Sequence, residues 1–194
     1  ASHLYTQAFG KRPIFIIPSG NVGNSCAAFW ALTMGSPIER IVLSVNENKT
    51  IPEFLTSGIY QTRPSVQTLA NAMDVGAPSN MERLFNLYPD VDTLKSMLTA
   101  YSVDDRTIQA TIKEVYGELG YIPCPHTATA ERVRRDHFAG QPTIVVSTAH
   151  PAKFEQVVEP LIGRSVEVPQ NLATLLDKPS SFKAIPSDYR LLFS

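Results

Sequence analysis

Residues 14–24, with the sequence IFIIPSGNVGN, decide the fold of this chain. The unbroken apolar run from Ile14 to Ile17 is typical of a strand that is buried on both faces of a parallel sheet. The segment PSGNVGN, residues 18–24, then forms a loop, and residues 25–34 predict a helix that ends at Gly35. A second strand over residues 40–46 completes a right-handed strand–helix–strand unit.

The same pattern returns near the other end of the chain. Residues 143–146 predict a third buried strand, which is followed by the polar turn 147–151 and by a helix over residues 152–161. Ligands of open parallel sheets bind at the carboxyl ends of the strands. The loops after the first and third strands are therefore candidates for one shared site.

The segments between these strands are predicted to be mostly helical. Helical periodicity covers residues 92–101, 104–119 and 127–138, and Ser79 with Glu82 has the spacing of a helix capping box. Residues 46–68, rich in Asn, Thr, Pro and Gly, predict a long functional loop. The fold class that follows is α/β, with a mostly parallel sheet.

Composition excludes several function classes. The chain has 194 residues, enough for one domain with a core, and its formal net charge of -1 does not favour a nucleic-acid or membrane partner. No apolar run approaches the roughly 18 residues of a membrane span. Only two cysteines are present, so a cytoplasmic protein is expected, and Cys124-Pro-His126 is interpreted as structural rather than zinc-binding.

The loop PSGNVGN has the chemistry of a phosphate cradle. Glycines allow backbone amides to approach a ligand closely, asparagines tolerate left-handed conformations, and the helix that follows adds free N–H groups. No Gly-Lys-Ser/Thr motif or complete dinucleotide fingerprint is present. A plain strand-to-helix turn is the alternative interpretation.

The loop also closely resembles the phosphate-binding loop of threonine synthases, which are PLP enzymes of the tryptophan-synthase β-subunit fold type. Further segments match that family in the same order over residues 14–155: Asn46-Glu47-Asn48, the stretch 72–83 with Pro78-Ser79-Asn80, Pro125-His126-Thr127-Ala128, and residues 147–154, STAHPAKF. The resemblance implies a three-layer α/β/α architecture, as part of the fold type II large domain, and pyridoxal 5'-phosphate as cofactor.

By this resemblance, the amides of the loop bind the cofactor phosphate, and Thr148 faces the pyridine nitrogen. The residues predicted to bind the cofactor are Gly20, Asn21, Val22, Gly23, Asn24 and Thr148. A threonine hydroxyl can donate to a neutral ring nitrogen, which makes the ring a weaker electron sink than a protonated one. Without the resemblance, Thr148 is interpreted as a helix N-cap or part of an ST-turn.

Other positions carry two interpretations or depart from the family pattern. His150 either contacts the substrate phosphate or has a structural role in its turn. Asn46 and Asn48 either line the substrate side or close a loop, and His126 and Thr127 likewise carry a functional and a structural interpretation. Val22 stands where the family usually has phenylalanine. Lys49 replaces the usual aspartate, which affects the local charge.

The implied reaction converts O-phospho-L-homoserine and water into L-threonine and phosphate, and it needs a lysine that carries the cofactor covalently. In the family this lysine precedes the loop in a motif like Phe-Lys-Asp, which is absent here. Lys11, Lys153 and Lys183 do not match it. We therefore expect residues 1–194 to be the C-terminal part of the catalytic domain, without a catalytic lysine and inactive alone.

Two other function classes remain open at this point. One is another fold type II PLP lyase, either a serine/threonine dehydratase or a phospho-lyase related to threonine synthase. The other is a non-catalytic domain that binds a phosphorylated metabolite. A parallel sheet that lacks strands exposes an edge, so the expected partners are a second copy or the missing N-terminal half.

Overall fold

The computed structural model describes residues 1–176, 178–179, 181–182, 184–186 and 188–193. At its centre is a four-stranded sheet with the order β3-β2-β1-β4. The strands are β1 (Ile14–Pro18), β2 (Arg40–Val45), β3 (Leu98–Ser102) and β4 (Thr143–Val145). Each neighbouring pair in this sheet is parallel, which confirms the predicted fold class.

Helices occupy most of the remaining chain. The α-helices are α1 (Ser2–Phe9), α2 (Gly23–Thr33), α3 (Thr50–Ser57), α4 (Met81–Leu87), α5 (Val91–Met97), α6 (Asp105–Leu119), α7 (Pro125–His137), α8 (Glu155–Ile162) and α9 (Gln170–Leu176). Short 3-10 helices lie at Asn71–Met73, Pro151–Phe154 and Tyr189–Phe193. Within the described ranges, no helix combines the length and apolar character that a membrane crossing requires.

The sheet separates two apolar cores. Neighbouring residues of a strand face opposite sides, so Ile16 packs into one core and Ile17 into the other. The Ile16 core includes residues of α6, α7 and α8, and the Ile17 core includes residues of α2, α3, α4 and α5. The arrangement is therefore the predicted three-layer α/β/α architecture.

Two predicted segments divide differently in the structure. Residues 92–101, predicted as one helix, form most of α5 and then most of β3, because residues 98–102 pair with β2. No turn residue separates the two elements, so the sequence pattern hides the boundary. The predicted loop 46–68 contains α3, which buries Ile51 and Phe54 against the sheet. Pro52 stands in its first turn, where a missing N–H costs little.

Strand β4 also differs from the prediction. Its three residues are half-buried rather than fully buried, because among the described strands β4 pairs only with β1. Its apolar run resembles that of a central strand, and a sequence pattern does not show on how many sides a strand is paired. The consequence for the site is that β1 and β4 lie side by side.

Candidate functional site

The loops after β1 and β4 meet at one edge of the sheet. Ile14 pairs with Thr143 and Ile16 with Val145, so both strands end at the same level. A cavity of about 410 Å³ lies there, within the usual size range of small-molecule sites. Its lining consists of Pro18, Ser19, Gly20, Asn21, Val22, Gly23, Asn24, Ala72, Met73, His126, Thr148, Ala149, Lys153 and Phe154. The structure thus brings together all the residues predicted to bind the cofactor.

Val22 gives the loop its shape. Its φ of 63° and ψ of 4° are left-handed, and it is the one non-glycine residue with positive φ in the described chain. This conformation costs an L-residue roughly 1–2 kcal/mol, and such strain concentrates at ligand sites. The side chain is 2% exposed and packs into the Ile17 core, which holds the residue in place. Helix α2 begins directly afterwards, so free N–H groups border the cavity.

The two glycines of the loop have different roles. A Cβ on Gly20 would lie 2.6 Å from the Cα of Met73, so this glycine allows the turn 71–73 to pack on the loop. A Cβ on Gly23 would meet only Asn80 Nδ2, at an ordinary 3.5 Å. Packing within the protein therefore explains Gly20 but not Gly23, and a glycine at Gly23 fits the close approach of a ligand.

Hydrogen bonds of Ser19 and Asn21 hold the loop 18–24 in place. Ser19 Oγ hydrogen-bonds to Ser25 Oγ, and the Ser19 N–H donates to the Ser44 carbonyl at 2.9 Å. Asn21 Oδ1 accepts a hydrogen bond from Ser79 Oγ at 3.1 Å. The loop is therefore preorganised by contacts that reach 58 residues along the chain.

The contact between Ser79 and Asn21 corrects the prediction of a capping box. The N-cap of α4 is Asn80 rather than Ser79, and no side chain caps it. Ser79 is turned to the loop instead, and the Asn80 N–H lies 3.4 Å from the same Asn21 oxygen. The spacing of Ser79 and Glu82 suits a capping box, but a sequence pattern does not reveal a hydrogen-bond partner on a distant loop.

Asn46 and Asn48 close a loop and do not line the cavity. Asn46 Nδ2 donates to Thr68 Oγ1 at 2.8 Å and to Asp74 Oδ1 at 2.8 Å. Asn48 pairs with Val66 through the side-chain amide and the Val66 N–H, at 2.9 and 2.8 Å. This buried network fixes the segment 66–76, and with it the turn 71–73 that borders the cavity. The loop-closing interpretation is the one that the structure supports.

His126 and Thr127 lie at the N-terminus of α7. The N-cap is Cys124, whose Sγ accepts from the Thr127 N–H at 3.4 Å, so this thiol has a structural role. His126 is 4% exposed, and its Nε2 accepts from the Ala72 N–H at 3.1 Å. Nδ1 is buried and has no hydrogen-bond partner among the described residues. Because Nε2 accepts, the neutral ring carries its proton on Nδ1.

Burial also sets the charge of His126. It lowers the pKa of this imidazole below its usual value, while the Asp74 carboxylate acts in the opposite direction. A second proton would have to sit on Nε2, where it would face the Ala72 N–H. His126 is therefore a neutral hydrogen-bond donor at the wall of the cavity.

The turn after β4 contributes Thr148. Its side chain is exposed, and its hydroxyl makes no hydrogen bond to another described residue, while its N–H lies 3.4 Å from Thr127 Oγ1. Thr148 is not a helix N-cap. The N-cap of the 3-10 helix Pro151–Phe154 is His150, whose Nδ1 accepts from the Ala152 N–H at 3.2 Å. His150 is thus structural here, and the Thr148 hydroxyl is free to meet a ligand.

The lysines considered from the sequence lie in different places. Lys153 is exposed and lines the cavity. Lys49 lines a separate cavity of about 490 Å³ beside α3. Lys11 lies before β1, outside the lining of the loop cavity, and Lys183 lies outside the described residues.

Comparison with known proteins shows which proteins the chain resembles. Residues 127–192 match the family model "Threonine synthase, C-terminal". The chain is similar in sequence to threonine synthases. It is 39% identical to the threonine synthase of Serratia marcescens over 95% of its own length and 45% of that protein. The corresponding values for the Escherichia coli threonine synthase are 37%, 97% and 46%.

Solved threonine synthases have the same fold. The Escherichia coli enzyme superposes with a TM-score of 0.79 at 38% identity, over 92% of this chain and 42% of that one. The PLP-bound threonine synthase from Brucella melitensis gives 0.81 at 28% identity, over 97% and 48%. Maize serine racemase, at 18% identity and a TM-score of 0.51, shares the fold alone. The chain spans about half the length of the threonine synthases that it matches.

Proposed function

We propose that residues 1–194 form the C-terminal part of the PLP-binding catalytic domain of a threonine synthase. The whole protein would be a cytoplasmic carbon–oxygen lyase acting on phosphates, which converts O-phospho-L-homoserine and water into L-threonine and phosphate. One observation carries this proposal: the loop 18–24 and Thr148, which the resemblance pairs as the two ends of a PLP site, line the same cavity.

The cavity fits pyridoxal phosphate in its donors. The loop 18–24 contains no cationic side chain, so its backbone amides and the N-terminus of α2 would hold the phosphate dianion. The bare Cα of Gly23 leaves space for that close approach. Met73 and Phe154 add apolar surface for a flat ring.

Thr148 would act at the other end of the ring. Its free hydroxyl can donate to a neutral pyridine nitrogen, and the described residues that line the cavity include no carboxylate to hold this nitrogen protonated. When bound, pyridoxal phosphate withdraws electrons from the substrate and makes its Cα proton acidic. The described part of this chain orients that group and shields it, and we assign it no catalytic residue.

A non-catalytic binding domain is the second candidate. Its support is that the phosphate cradle is present while the family's lysine motif is not. Both candidates predict that the 194-residue chain binds pyridoxal phosphate without a covalent bond. Borohydride reduction followed by mass spectrometry should then show no adduct, and a trapped adduct on Lys153 or Lys183 would overturn this assignment of the chain.

Turnover distinguishes the two candidates. The encoded protein with a Phe-Lys-Asp-type lysine upstream should release phosphate from O-phospho-L-homoserine, and the same protein with the Gly23→Ala substitution should release far less. If the gene encodes no such lysine, and phosphate monoesters bind without turnover, the binding-domain candidate is the correct one.

A further inference from the structure

We propose that Thr127 is a positioning residue, whose hydroxyl holds the turn 147–149 in the place where Thr148 meets the cofactor ring. The inference rests on the proposed function, because it assumes that Thr148 lies at the nitrogen end of that ring. Thr127 is not among the residues that line the cavity, so it acts on the ligand through Thr148.

The turn 147–149 has little support of its own. Its residues follow β4 and belong to no helix or strand. In the described chain, the hydrogen bonds that join them to other segments are that of the Thr148 N–H to Thr127 Oγ1, at 3.4 Å, and a contact of 3.5 Å between the hydroxyls of Ser147 and Tyr121. Ser147 and Tyr121 are both exposed, so water competes for their contact. The bond to Thr127 therefore contributes most to the position of the Thr148 backbone.

The Thr127 hydroxyl is buried, and its chemistry suits this contact. Thr127 is 3% exposed, and its Oγ1 lies 3.2 Å from Sγ of Cys124, the N-cap of α7. A hydroxyl has one proton and two lone pairs, so Oγ1 can donate to this sulfur while it accepts from the Thr148 N–H. A valine side chain has a similar shape and can do neither. The contact therefore requires a hydroxyl at position 127.

The first turn of α7 is a firm support for that hydroxyl. Thr129 Oγ1 donates to the His126 carbonyl at 2.7 Å, and Ser44 Oγ lies 2.7 Å from the same Thr129 oxygen. Because the single Thr129 proton points to the carbonyl, Ser44 is the donor in the second bond. All of these residues are buried, and Ser44 belongs to the inner strand β2. Thr127 thus holds the turn from a helix end that is tied to the sheet.

Thr148 depends on this support for its aim at a ligand. Its hydroxyl is exposed and makes no hydrogen bond within the described chain, so the position of its backbone sets where the hydroxyl stands. Hydrogen bonds weaken steeply when donor and acceptor are misaligned. Without the Thr127 acceptor, the Thr148 N–H can turn to water and the turn can shift. The bond to the ring nitrogen would then weaken, while the loop 18–24 would keep its phosphate contacts.

Fluorescence titration of pyridoxal phosphate into the 194-residue chain tests this role. Thr127→Val should weaken the affinity about threefold or more, and Thr127→Ser, which restores the acceptor, should bind within about twofold of the parent. In a Thr148→Val background, Thr127→Val should have no further effect, because it acts through Thr148. Thr111→Val removes an equally buried threonine hydroxyl from α6, outside the cavity lining, and should leave the affinity unchanged. If Thr127→Val does not fold, Thr127→Ala, which also lacks the acceptor, takes its place.

A ligand without the ring nitrogen separates positioning from stability. The deaza analogue of pyridoxal phosphate has a C–H group in place of that nitrogen, so the parent and Thr127→Val should bind it equally. An unchanged affinity for pyridoxal phosphate in Thr127→Val, an equal loss with the deaza analogue, or full additivity with Thr148→Val would overturn the inference. If the parent binds pyridoxal phosphate no more tightly than pyridoxal, the proposed function is wrong, and the inference fails with it.

Discussion

The N–H of Ala72 donates a hydrogen bond of 3.1 Å to Nε2 of His126, and this bond joins the turn 71–73 to the N-terminus of α7. Both residues line the cavity between the loops after β1 and β4. The bond exists only while Nε2 is unprotonated. The wall of the site therefore depends on the charge of one buried imidazole.

Protonation of His126 should destabilise the fold. Burial lowers the pKa of His126 in the folded chain, so the unfolded chain binds the proton more readily. The stabilisation is complete above the unfolded value of about 6.5 and is lost as the pH falls from there towards the lower folded pKa. Urea denaturation should show that the free energy of unfolding drops between about pH 7.5 and 5.5.

The His126→Phe variant is the control for this pH dependence. It keeps an aromatic ring but cannot titrate, so its free energy of unfolding should fall less over the same pH interval. An equal loss in the variant and the parent would assign the effect to other groups.

The two loop glycines should respond differently to alanine. Gly20→Ala places a methyl group against the backbone of Met73, so we expect a loss of about 2 kcal/mol or more in the free energy of unfolding. Gly23→Ala meets only an ordinary contact and occurs at the start of a helix, so stability should change by less than about 1 kcal/mol. Equal destabilisation would show that Gly23 also serves packing.

The buried network around Asn46 should tolerate no added charge. Asn46→Asp keeps the shape but replaces an amide donor with a carboxylate, 2.8 Å from the present position of Asp74 Oδ1. We expect a loss of about 3 kcal/mol, because a buried carboxylate at position 46 would then face the half-buried carboxylate of Asp74. Asn86→Asp, on the exposed side of α4, is the matched control and should change stability by less than about 0.5 kcal/mol.

Thr148 should matter for binding and not for stability. Its hydroxyl is exposed and makes no hydrogen bond to the rest of the described chain, so Thr148→Val should leave the melting temperature nearly unchanged. The affinity for pyridoxal phosphate should fall by about three- to tenfold, the value of one hydrogen bond. Ser147→Ala, one residue away and outside the cavity lining, should leave this affinity unchanged. An unchanged affinity in Thr148→Val would remove the threonine from the cofactor site.

The sequence predicts the parallel sheet and the place of the site well, since both follow from local patterns. The apolar run 14–17 and the glycine loop after it need no distant information. Strand β3 is missed because its place beside β2 is a tertiary contact, and α5 runs into it without a turn. The half-burial of β4 likewise depends on which strands are its neighbours.

The sequence does not predict the contacts that support the site. Ser79 donates to Asn21 rather than capping its own helix, and Ala72 donates to His126 across 54 residues. Each of these contacts joins two segments that are distant along the chain. A sequence pattern identifies polar groups but not the partners that the fold places beside them.

The comparison of pyridoxal phosphate with pyridoxal, titrated into the 194-residue chain and its Gly23→Ala variant, tests the central claim most directly. If the loop 18–24 is the cofactor-phosphate site, the parent binds pyridoxal phosphate at least about tenfold more tightly than pyridoxal, and Gly23→Ala abolishes that preference. Equal affinities for the two compounds, or a preference that survives in Gly23→Ala, would contradict it.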